Sequence, residues 1–320
     1  MSRVLKIGTR GSELAVTQST WVRDMLRSKG VQCELEIIKT SGDKDQVTPL
    51  HQMTGLGVFV VELQKAMLDG RVDLAIHSLK DVPFETPKGL SLVSFPPREN
   101  PRDALVGKYS SIKDIPQGGT VGTGSPRRVL QLQKLRPDLK YLQLRGNVGT
   151  RVEKATSGEM DAVVLACAGL NRLGRSEDIS YEISFEEMLP AISQGIVAME
   201  CRSDDSECIE LLRRVNDPDA EKAQLLERMF MERLGGGCKV PMAALAEPQK
   251  NNIWNITSMI ADLKGEHIIR KSLSGDVSSL ENCKSLVEKI VLEIEAEAEI
   301  KKVLLPRELP EHYLLEHWKQ

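Results

Sequence analysis

A cysteine behind a run of glycines is the first feature of this chain that suggests chemistry. Cys238 stands in LGGGCKVPM, residues 234–242, directly after three glycines. Ordering a glycine costs more backbone entropy than ordering any other residue, so a feature close by must repay that cost. From the residues alone, a helix that stops at glycine and is followed by a small buried thiol is the simpler explanation.

Arginines gather in a second stretch, between residues 121 and 151. The basic residues there are Arg127, Arg128, Lys134, Arg136, Lys140, Arg145 and Arg151, and the one acidic residue is Asp138. We expect Lys134 and Lys140 to lie on a solvated helix face. The remaining excess of positive charge predicts an anionic ligand, and arginine suits the bidentate capture of carboxylate or phosphate.

The motif GTGSPRR shows how this charge can be used. Ser125 is placed as a helix N-cap and Pro126 at the first helical position, so Arg127 and Arg128 stand in the first turn. A helix N-terminus attracts anions, and two arginines there oppose the helix dipole by a few tenths of a kcal/mol each. This placement favours an anionic ligand over a purely structural role.

Two further turns repeat this arrangement. IGTRGSELA places Arg10 in a strand-to-helix turn with Ser12 as the N-cap, and Arg145 and Arg151 bracket the turn RGNVGTR. Ligands of open α/β sheets bind at the carboxyl ends of strands, so these turns predict one cleft for a ligand with many negative charges. Nucleic acid is a weaker match, because within the basic stretch only Tyr141 offers a ring for base stacking.

Asp81 is the candidate acid among these bases. It follows a buried strand in VDLAIHSLKDVP, and Pro83 forces Val82 into an extended conformation. Asp81 therefore lies just beyond the carboxyl end of a strand, where catalytic groups of α/β proteins collect. From position alone, a structural ion pair is an equally good explanation. We interpret His77, at the end of the same strand, as a histidine whose hydrogen bonds are satisfied within the fold.

Strand and helix patterns alternate along the first two thirds of the chain. The strand patterns are RVLKIGT, CELEIIKT, VDLAIH, GLSLVSF, GTVGTG, KYLQL and DAVVLA, and the helix patterns are ELAVTQSTWVRDMLRSK, VFVVELQKAMLDG, SPRRVLQLQKL and VGTRVEKATSG. This alternation predicts an α/β fold of parallel sheets covered by helices, in two lobes with a cleft between them. The polar residues 42–57 predict a long lid loop.

The last third has a different pattern. DAEKAQLLERMFMERLGGG predicts a helix that Gly235 terminates, and NIWNITSMIADLKGEHIIRKSLSG predicts a hairpin around Lys264 and Gly265. SLVEKIVLEIEAEAEIKKVLL predicts a final helix. Strands followed by a helix predict a small α+β domain that holds the cysteine loop.

Length and charge limit the class of protein. A chain of 320 residues is long enough for two or three domains, and 46 acidic against 43 basic residues create no overall field for nucleic acid or membrane. The sequence has neither an apolar run of membrane-spanning length nor the pattern of a targeting peptide, which predicts a cytoplasmic protein. Six scattered cysteines predict free thiols rather than disulfides or a metal site.

Eight motifs occur in a characteristic order: GTRGSELA, HSLKDVP, ENPRDA, VGTGSPRR, LRGNVGTR, AGLNRLG, SQGIVAMECR and LGGGCKVP. Over roughly residues 3–246 the chain thereby resembles the porphobilinogen deaminase family, also called hydroxymethylbilane synthases. The resemblance implies a transferase of tetrapyrrole biosynthesis, the route to haem, chlorophyll and cobalamin. Such an enzyme condenses four porphobilinogen molecules head to tail, releases ammonia at each step and frees the linear hydroxymethylbilane.

The resemblance also implies a cofactor and a set of site residues. One dipyrromethane per chain is attached through a thioether to a cysteine, and Cys238 stands at the matching position. Asp81 matches the catalytic aspartate, which stabilises the cation left by ammonia. The implied cofactor-binding residues are Lys80, Ser78, Thr123, Ser125, Arg127 and Arg128. The implied substrate-binding residues are Arg10, Ser12, Phe59, Arg145, Arg151, Arg172 and Gln194.

The implied fold has two lobes that resemble type II periplasmic binding proteins and a third, small α+β domain. Residues 1–95 with 194–214 form the first domain, 96–193 the second, and 215–320 the third, which carries Cys238. The implied partners are porphobilinogen and the growing polypyrrole. We expect a monomer with neither a nucleic-acid nor a membrane partner.

Three stretches depart from the family pattern. Leu56 replaces a lysine in the lid, and GTGSPRR replaces the usual pair of serines and adds a proline. The tail 303–320 has no counterpart, and its apolar residues predict packing on the third domain or on a partner. A carrier of polycarboxylates, without catalysis, is the rival function, because it would use the arginines but neither Asp81 nor Cys238.

Overall fold

The computed structural model describes residues 3–40, 60–235, 241–262 and 265–308. The predicted lid loop with Leu56, the residues Phe59 and Cys238, and the end of the tail from residue 309 lie outside the described residues.

Thirteen strands and eight helices make up the described fold. The strands are β1 (Leu5–Thr9), β2 (Cys33–Ile37), β3 (Leu74–Ser78), β4 (Leu90–Ser94), β5 (Asp103–Gly107), β6 (Thr120–Gly122), β7 (Lys140–Leu142), β8 (Ala162–Ala166), β9 (Ile179–Glu182), β10 (Val197–Arg202), β11 (Met242–Pro248), β12 (Ile253–Ala261) and β13 (Ile268–Asp276). The helices are α1 (Glu13–Ser28), α2 (Val61–Leu68), α3 (Pro126–Leu135), α4 (Val148–Thr156), α5 (Cys167–Arg172), α6 (Ser206–Arg213), α7 (Pro218–Arg233) and α8 (Leu280–Lys301).

The strands form three separate sheets. The first sheet has the order β2-β1-β3-β10-β4, the second β7-β6-β8-β5-β9, and the third β11-β12-β13. Helices lie between the strands of the first two sheets along the chain, so the α/β prediction is confirmed for this part. The third sheet packs on α7 and α8 and forms with them what we call the third unit, which confirms the predicted small α+β unit.

The prediction of purely parallel sheets is wrong. β1 pairs in parallel with β2 and β3, and β6 with β7 and β8. However, β10 runs antiparallel to β3 and β4, and β5 runs antiparallel to β8 and β9. A helical crossover within one sheet makes neighbouring strands parallel. The chain enters β5 from the first sheet and β10 from the second. Neither strand is therefore reached by a crossover within its own sheet, and neither has to be parallel to its neighbours.

Two chain segments cross between the first and second sheets and contact each other. Residues 95–102 lead from β4 to β5, and residues 183–196 lead from β9 back to β10. The N–H of Glu99 donates to the carbonyl of Gly195 at 3.1 Å, and the Nε of Arg98 donates to the carbonyl of Gln194 at 2.9 Å. As expected for SQGIVAMECR, β10 returns to the first sheet, where it lies between β3 and β4.

Helix boundaries follow the residues that the sequence indicates. Ser12 occupies the N-cap of α1, although its side chain makes no capping hydrogen bond. Asp217 caps α7 by accepting from the N–H of Ala220, with Pro218 at the first helical position. Gly235 follows this helix with φ of +67°, which confirms the predicted glycine stop. None of the described helices has the length and apolar composition that crossing a bilayer requires.

The core of the third unit extends into the first sheet's connections. One buried apolar cluster contains Phe230 of α7 and Leu234, the residue after this helix. The same cluster contains Leu79 and Val82, which flank Lys80 and Asp81. The tail joins this cluster through Val303. The predicted packing of the tail on the third unit is thereby confirmed for the first residues of the tail. The five described cysteines, Cys33, Cys167, Cys201, Cys208 and Cys283, are buried free thiols, as expected.

The start of the tail holds the end of α7. The backbone N–H of Arg307 donates to the carbonyl of Leu234 at 2.9 Å, and its Nη1 donates to the carbonyl of Arg233 at 3.2 Å. Nη2 of Arg307 also pairs with Glu295 of α8 at 2.8 Å. A Cβ added to Gly235 would lie 2.6 Å from the Cβ of Arg307. The chain therefore leaves α7 through a gap that only glycine fits.

We predict that Gly235→Ala lowers the urea midpoint of unfolding more than Gly158→Ala does. Both glycines have positive φ, +67° and +81° respectively, but nothing lies within 4 Å of a Cβ added to Gly158. The backbone strain common to both costs about 1 kcal/mol, and the overlap with Arg307 raises the cost of Gly235→Ala to about 3 kcal/mol. Equal midpoints for the two variants would show that Arg307 does not restrict this exit.

Candidate active site

Asp81 lies on a short turn whose backbone is anchored and whose carboxylate is exposed. We call residues 79–82 the Asp81 turn. The N–H of Leu79 donates to the carbonyl of Ile196 at 3.0 Å, and the N–H of Val82 donates to that of Leu79 at 3.1 Å. Leu79 and Val82 are buried, whereas Asp81 is exposed. The turn therefore presents a carboxylate from a fixed backbone directly after β3.

Lys80 and two arginines share the electrostatic surroundings of this carboxylate. Burial lowers the pKa of Lys80 to about 8, while the charge of Asp81 acts to raise it and that of Arg128 to lower it. Burial likewise lowers the pKa of Arg151 to about 10, again with Arg128 lowering it and Asp81 raising it. Arg145 adds a further repulsion on Arg151. The predicted cluster of basic groups around Asp81 is thus present in the fold.

Arg127 and Arg128 bind a buried carboxylate, that of Asp103 at the start of β5. Nη1 of Arg127 donates to Oδ2 of Asp103 at 2.8 Å, and Nε and Nη2 of Arg128 donate to its Oδ1 at 3.0 and 2.7 Å. Asp103 is fully buried, and the two arginines are 4% and 7% exposed. Burial alone would raise the pKa of Asp103, but the two positive charges hold it well below its usual range.

The pairing with Asp103 gives a structural reason for two arginines in the first turn of α3, and the sequence did not indicate this reason. Both arginines stand in the first turn as predicted, but Ser125 makes no side-chain capping hydrogen bond there. They also donate to backbone carbonyls, Arg127 to Leu189 and Arg128 to Val164. Asp103 belongs to the motif ENPRDA, so an acid at the start of a buried strand was the signal that could have identified it.

Gln194 connects this buried pair to the Asp81 turn. Its Nε2 donates to Oδ1 of Asp103 at 2.9 Å and to the carbonyl of Pro101 at 2.8 Å. Its Oε1 accepts from Nζ of Lys80 at 3.3 Å. A continuous chain of hydrogen bonds thus runs from the second sheet through Gln194 to the residue beside Asp81.

The other candidates follow the carboxyl ends of parallel strands, as expected for this fold. Arg10 and Ser12 follow β1, Ser78 ends β3, Thr123 and Ser125 follow β6, Arg145 follows β7, and Arg172 ends the helix after β8. The sheets therefore bring the described candidates to the edges that adjoin the crossing segments. Phe59 and Cys238 lie outside the described residues, so their placement stays a prediction.

Arg172 and Ser78 have partners from α1. The guanidinium of Arg172 lies 5.5 Å from the ring centroid of Trp21, and its Nη2 donates to the carbonyl of Gly195 at 2.7 Å. Burial lowers the pKa of Arg172 to about 10. The hydroxyl of Ser78 exchanges hydrogen bonds with the amide of Gln18, at 3.0 and 3.1 Å. These contacts orient two predicted site residues before any ligand binds.

His77 has a structural partner, as expected. Its Nε2 lies 3.0 Å from Oε2 of Glu200 in β10, and both residues are buried. Nε2 of Gln64 also donates to Glu200, at 3.0 Å. Among the residues described, no group of three or more histidine, cysteine, aspartate or glutamate side chains is arranged to hold a metal ion.

Two family models match the chain. Residues 5–210 match the porphobilinogen deaminase dipyrromethane cofactor binding domain, and residues 221–296 match the porphobilinogen deaminase C-terminal domain. The chain belongs to the porphobilinogen deaminase family. The predicted family, its enzymatic condensation of porphobilinogen and its dipyrromethane cofactor are thereby confirmed, whereas the roles of single residues stay predictions.

Curated relatives agree over nearly the whole chain. The porphobilinogen deaminases of Geobacter metallireducens and Geobacter sulfurreducens are each 42% identical over 313 residues, which cover 96% of this chain and 98% of theirs. That of Trichlorobacter lovleyi is 43% identical over 276 residues, covering 86% of this chain and 88% of its own.

Solved structures that match part of this chain include binding proteins. The methionine binding protein MetQ matches with a TM-score of 0.43 and 14% identity, over 70% of this chain and 91% of its own. A nutrient binding protein from Burkholderia cenocepacia bound to methionine matches with a TM-score of 0.41 and 14% identity, over 68% and 94%. Likeness at this level carries no argument about function.

We predict that Asp103→Asn destabilises the fold by about 3–5 kcal/mol, because it leaves two buried guanidinium groups without their shared carboxylate. Asp24→Asn is the matched control, since Asp24 pairs with Arg23 on the exposed surface of α1, where solvent screens the pair. Urea unfolding followed by circular dichroism measures both. A shift for Asp103→Asn no larger than that for Asp24→Asn would contradict a structural role of the buried carboxylate.

Proposed function

We propose that this deaminase works through Asp81 as its catalytic carboxylate, with Cys238 as the point at which the dipyrromethane is attached. The observation that carries the proposal is the exposed carboxylate of Asp81 on an anchored turn, directly beside Lys80 and in the field of Arg128 and Arg151. This arrangement matches the substrate, since the basic residues suit its carboxylates and the acid suits its amine.

The basic residues fit a group with several carboxylates. Nε of Arg127 is a buried donor that has no hydrogen-bond acceptor among the described residues. Burial lowers the pKa of Lys80, Arg151 and Arg172, which means that these cations lie where an added anion would stabilise their charged forms. The carboxylate side chains of a bound pyrrole supply such anions. We infer that Lys80, Arg127, Arg128 and Arg151 hold the carboxylates of the cofactor and of the growing chain.

The dipyrromethane, when bound, supplies the free pyrrole carbon to which the first substrate is joined. Asp81 acts on the incoming porphobilinogen. In its protonated form it donates a proton to the departing amine, and as a carboxylate it stabilises the positive charge that the loss of ammonia leaves on the substrate. General acid–base assistance of this kind contributes roughly 10²- to 10⁴-fold.

The remaining candidates bind and orient. We propose that two further arginines bind carboxylates of substrate or product. They are Arg172, which Trp21 and Gly195 hold, and Arg145, at the turn before α4. Arg10 and Ser12 at the end of β1, Ser78, Thr123 and Ser125 offer further donors. Gln194 keeps Lys80 in place through its contact with Asp103. Phe59, which is not among the described residues, is proposed to contact substrate.

The proposal includes the organisation and setting of the protein. Residues 1–95 with 194–214, 96–193 and 215–320 act as three domains, and the first two enclose the cleft. The enzyme works as a cytoplasmic monomer on porphobilinogen and the growing polypyrrole, and has no nucleic-acid or membrane partner. Its near balance of 46 acidic and 43 basic residues supports the last point.

We predict that the denatured protein carries a mass adduct of two condensed porphobilinogen units and that Cys238→Ser lacks it. Intact-mass spectrometry measures the adduct before and after incubation with porphobilinogen. Cys283→Ser, which removes a thiol of the third unit's core, is the control and keeps the adduct. A wild type without adduct after incubation would mean that the protein binds polycarboxylates rather than building them on Cys238.

We predict that Asp81→Asn keeps the adduct and lowers kcat by about 10²- to 10⁴-fold, because the amide can neither donate the proton nor stabilise the cation. Ammonia release under saturating porphobilinogen gives kcat. Glu85→Gln makes the same chemical change at an exposed carboxylate in the following loop and leaves kcat unchanged. Near-normal turnover of Asp81→Asn would rule out the proposed role.

A further inference from the structure

Arg228, in the middle of α7, holds the backbone that follows Asp81. Its Nη1 donates to the carbonyl of Val82 at 3.2 Å, and its Nη2 donates to the carbonyls of Pro83 and Phe84 at 2.8 and 3.0 Å. The guanidinium also lies 5.5 Å from the ring centroid of Phe84. Arg228 is 6% exposed, and its contact with Val82 is buried.

The carbonyls that Arg228 binds belong to a segment that follows the Asp81 turn. Pro83 has no N–H to donate, and Val82 is held in an extended conformation with φ of −88° and ψ of 125°, as expected for a residue before proline. These three residues lie between β3 and β4, outside any sheet. Backbone carbonyls shielded from water need donors, and one guanidinium supplies them to three consecutive residues.

The Asp81 turn is thus held from both sides. Before Asp81, the N–H of Leu79 binds the carbonyl of Ile196. After it, Arg228 binds the carbonyls of Val82 and the next two residues. The first anchor comes from the returning crossing segment and the second from the third unit, through a side chain 146 residues further along the chain.

We propose that Arg228 is a positioning residue for the reaction: through the carbonyls of Val82, Pro83 and Phe84 it fixes the placement of the Asp81 carboxylate. The inference rests on the proposed role of Asp81. Helix α7 would then have two roles, because it carries Arg228 and also leads at Gly235 into the segment that carries Cys238. The helix thereby connects the residue that performs the chemistry to the segment on which the product is built.

Arginine suits this task better than lysine. Its planar fork reaches several acceptors from one rigid group, whereas an ammonium on a flexible stem satisfies one or two and leaves the others without a donor. Misplacing a catalytic group by about 1 Å costs on the order of 10²-fold in rate. A smaller shift, caused by the loss of one or two of three contacts, is expected to cost roughly tenfold.

The test compares Arg228→Lys with Arg136→Lys in the cofactor-loaded protein. Arg136 offers a matched control, because its guanidinium also binds a row of backbone carbonyls, those of Ile112, Lys113, Ile115 and Pro116, in the second sheet's connections. We expect Arg228→Lys to lower kcat about tenfold while KM changes less than about threefold. Arg136→Lys keeps kcat within about twofold even where its melting temperature falls.

A double substitution separates positioning from general loosening of the fold. If Arg228 acts through Asp81, then Arg228→Lys causes no further loss of kcat in an Asp81→Asn background, since residues that act as a unit are not additive. Losses that multiply would overturn the proposal. So would a wild-type kcat in Arg228→Lys while Asp81→Asn is slow. Normal turnover in Asp81→Asn would instead overturn the proposed function itself.

Pro83→Gly serves as the second variant, should Arg228→Lys fail to fold. It loosens the segment that Arg228 holds and leaves the buried arginine in place. Intact mass and circular dichroism confirm the adduct and the fold for each variant. We expect a several-fold fall in kcat at nearly constant KM. A wild-type kcat in Pro83→Gly would show that the placement of this segment does not matter to Asp81, and the proposal would be withdrawn.

Discussion

The buried carboxylate of Asp103 is the group on which the arrangement around the Asp81 turn depends. It pairs with two arginines in the first turn of α3, where the helix dipole disfavours positive charge, and it accepts a fourth hydrogen bond, from Gln194. Without it, the side chains of Arg127 and Arg128 could not be buried. Through Gln194 the same carboxylate also determines where Lys80 lies, and thereby shapes the surroundings of Asp81.

Three of the predicted binding residues, Lys80, Arg151 and Arg172, are half-buried cations. Lowered pKa values at Lys80, Arg151 and Arg172 mean that burial disfavours their charged forms in the absence of ligand. A polycarboxylate that enters relieves part of this cost. Such a loss of stability is common at functional sites. Groups there are arranged to bind a ligand, even where another arrangement would give the free protein a lower free energy.

The sequence predicted those features that depend on local pattern. The alternation of strands and helices, the stop at Gly235 and the position of Asp81 after β3 all follow from residues close in the chain. Strands β5, β9 and β11 were missed, because runs such as DALVG are too short to show a period. The antiparallel pairing of β5 with β9 follows from a crossing between sheets, whereas that of β11 with β12 follows from the short connection between them.

The supporting residues of the site could not be predicted in this way. Asp103 looks like a solvated acid at a strand start, and Arg228 looks like a charge on the polar side of a helix. Each is buried because residues far along the chain supply its partners: Arg127 and Arg128 for Asp103, and the carbonyls after Asp81 for Arg228. Only the tertiary fold shows that these charges point inward.

The two crossing segments have a mechanical consequence. They are bound to each other by the hydrogen bonds from Glu99 to Gly195 and from Arg98 to Gln194, so the two sheets are joined by a linked pair of segments. Glu227 of α7 is fully buried and accepts at 2.6 Å from Arg98 in one segment and from the N–H of Ser193 in the other. A shift of one segment against the other therefore strains the contacts of a charge that belongs to the third unit.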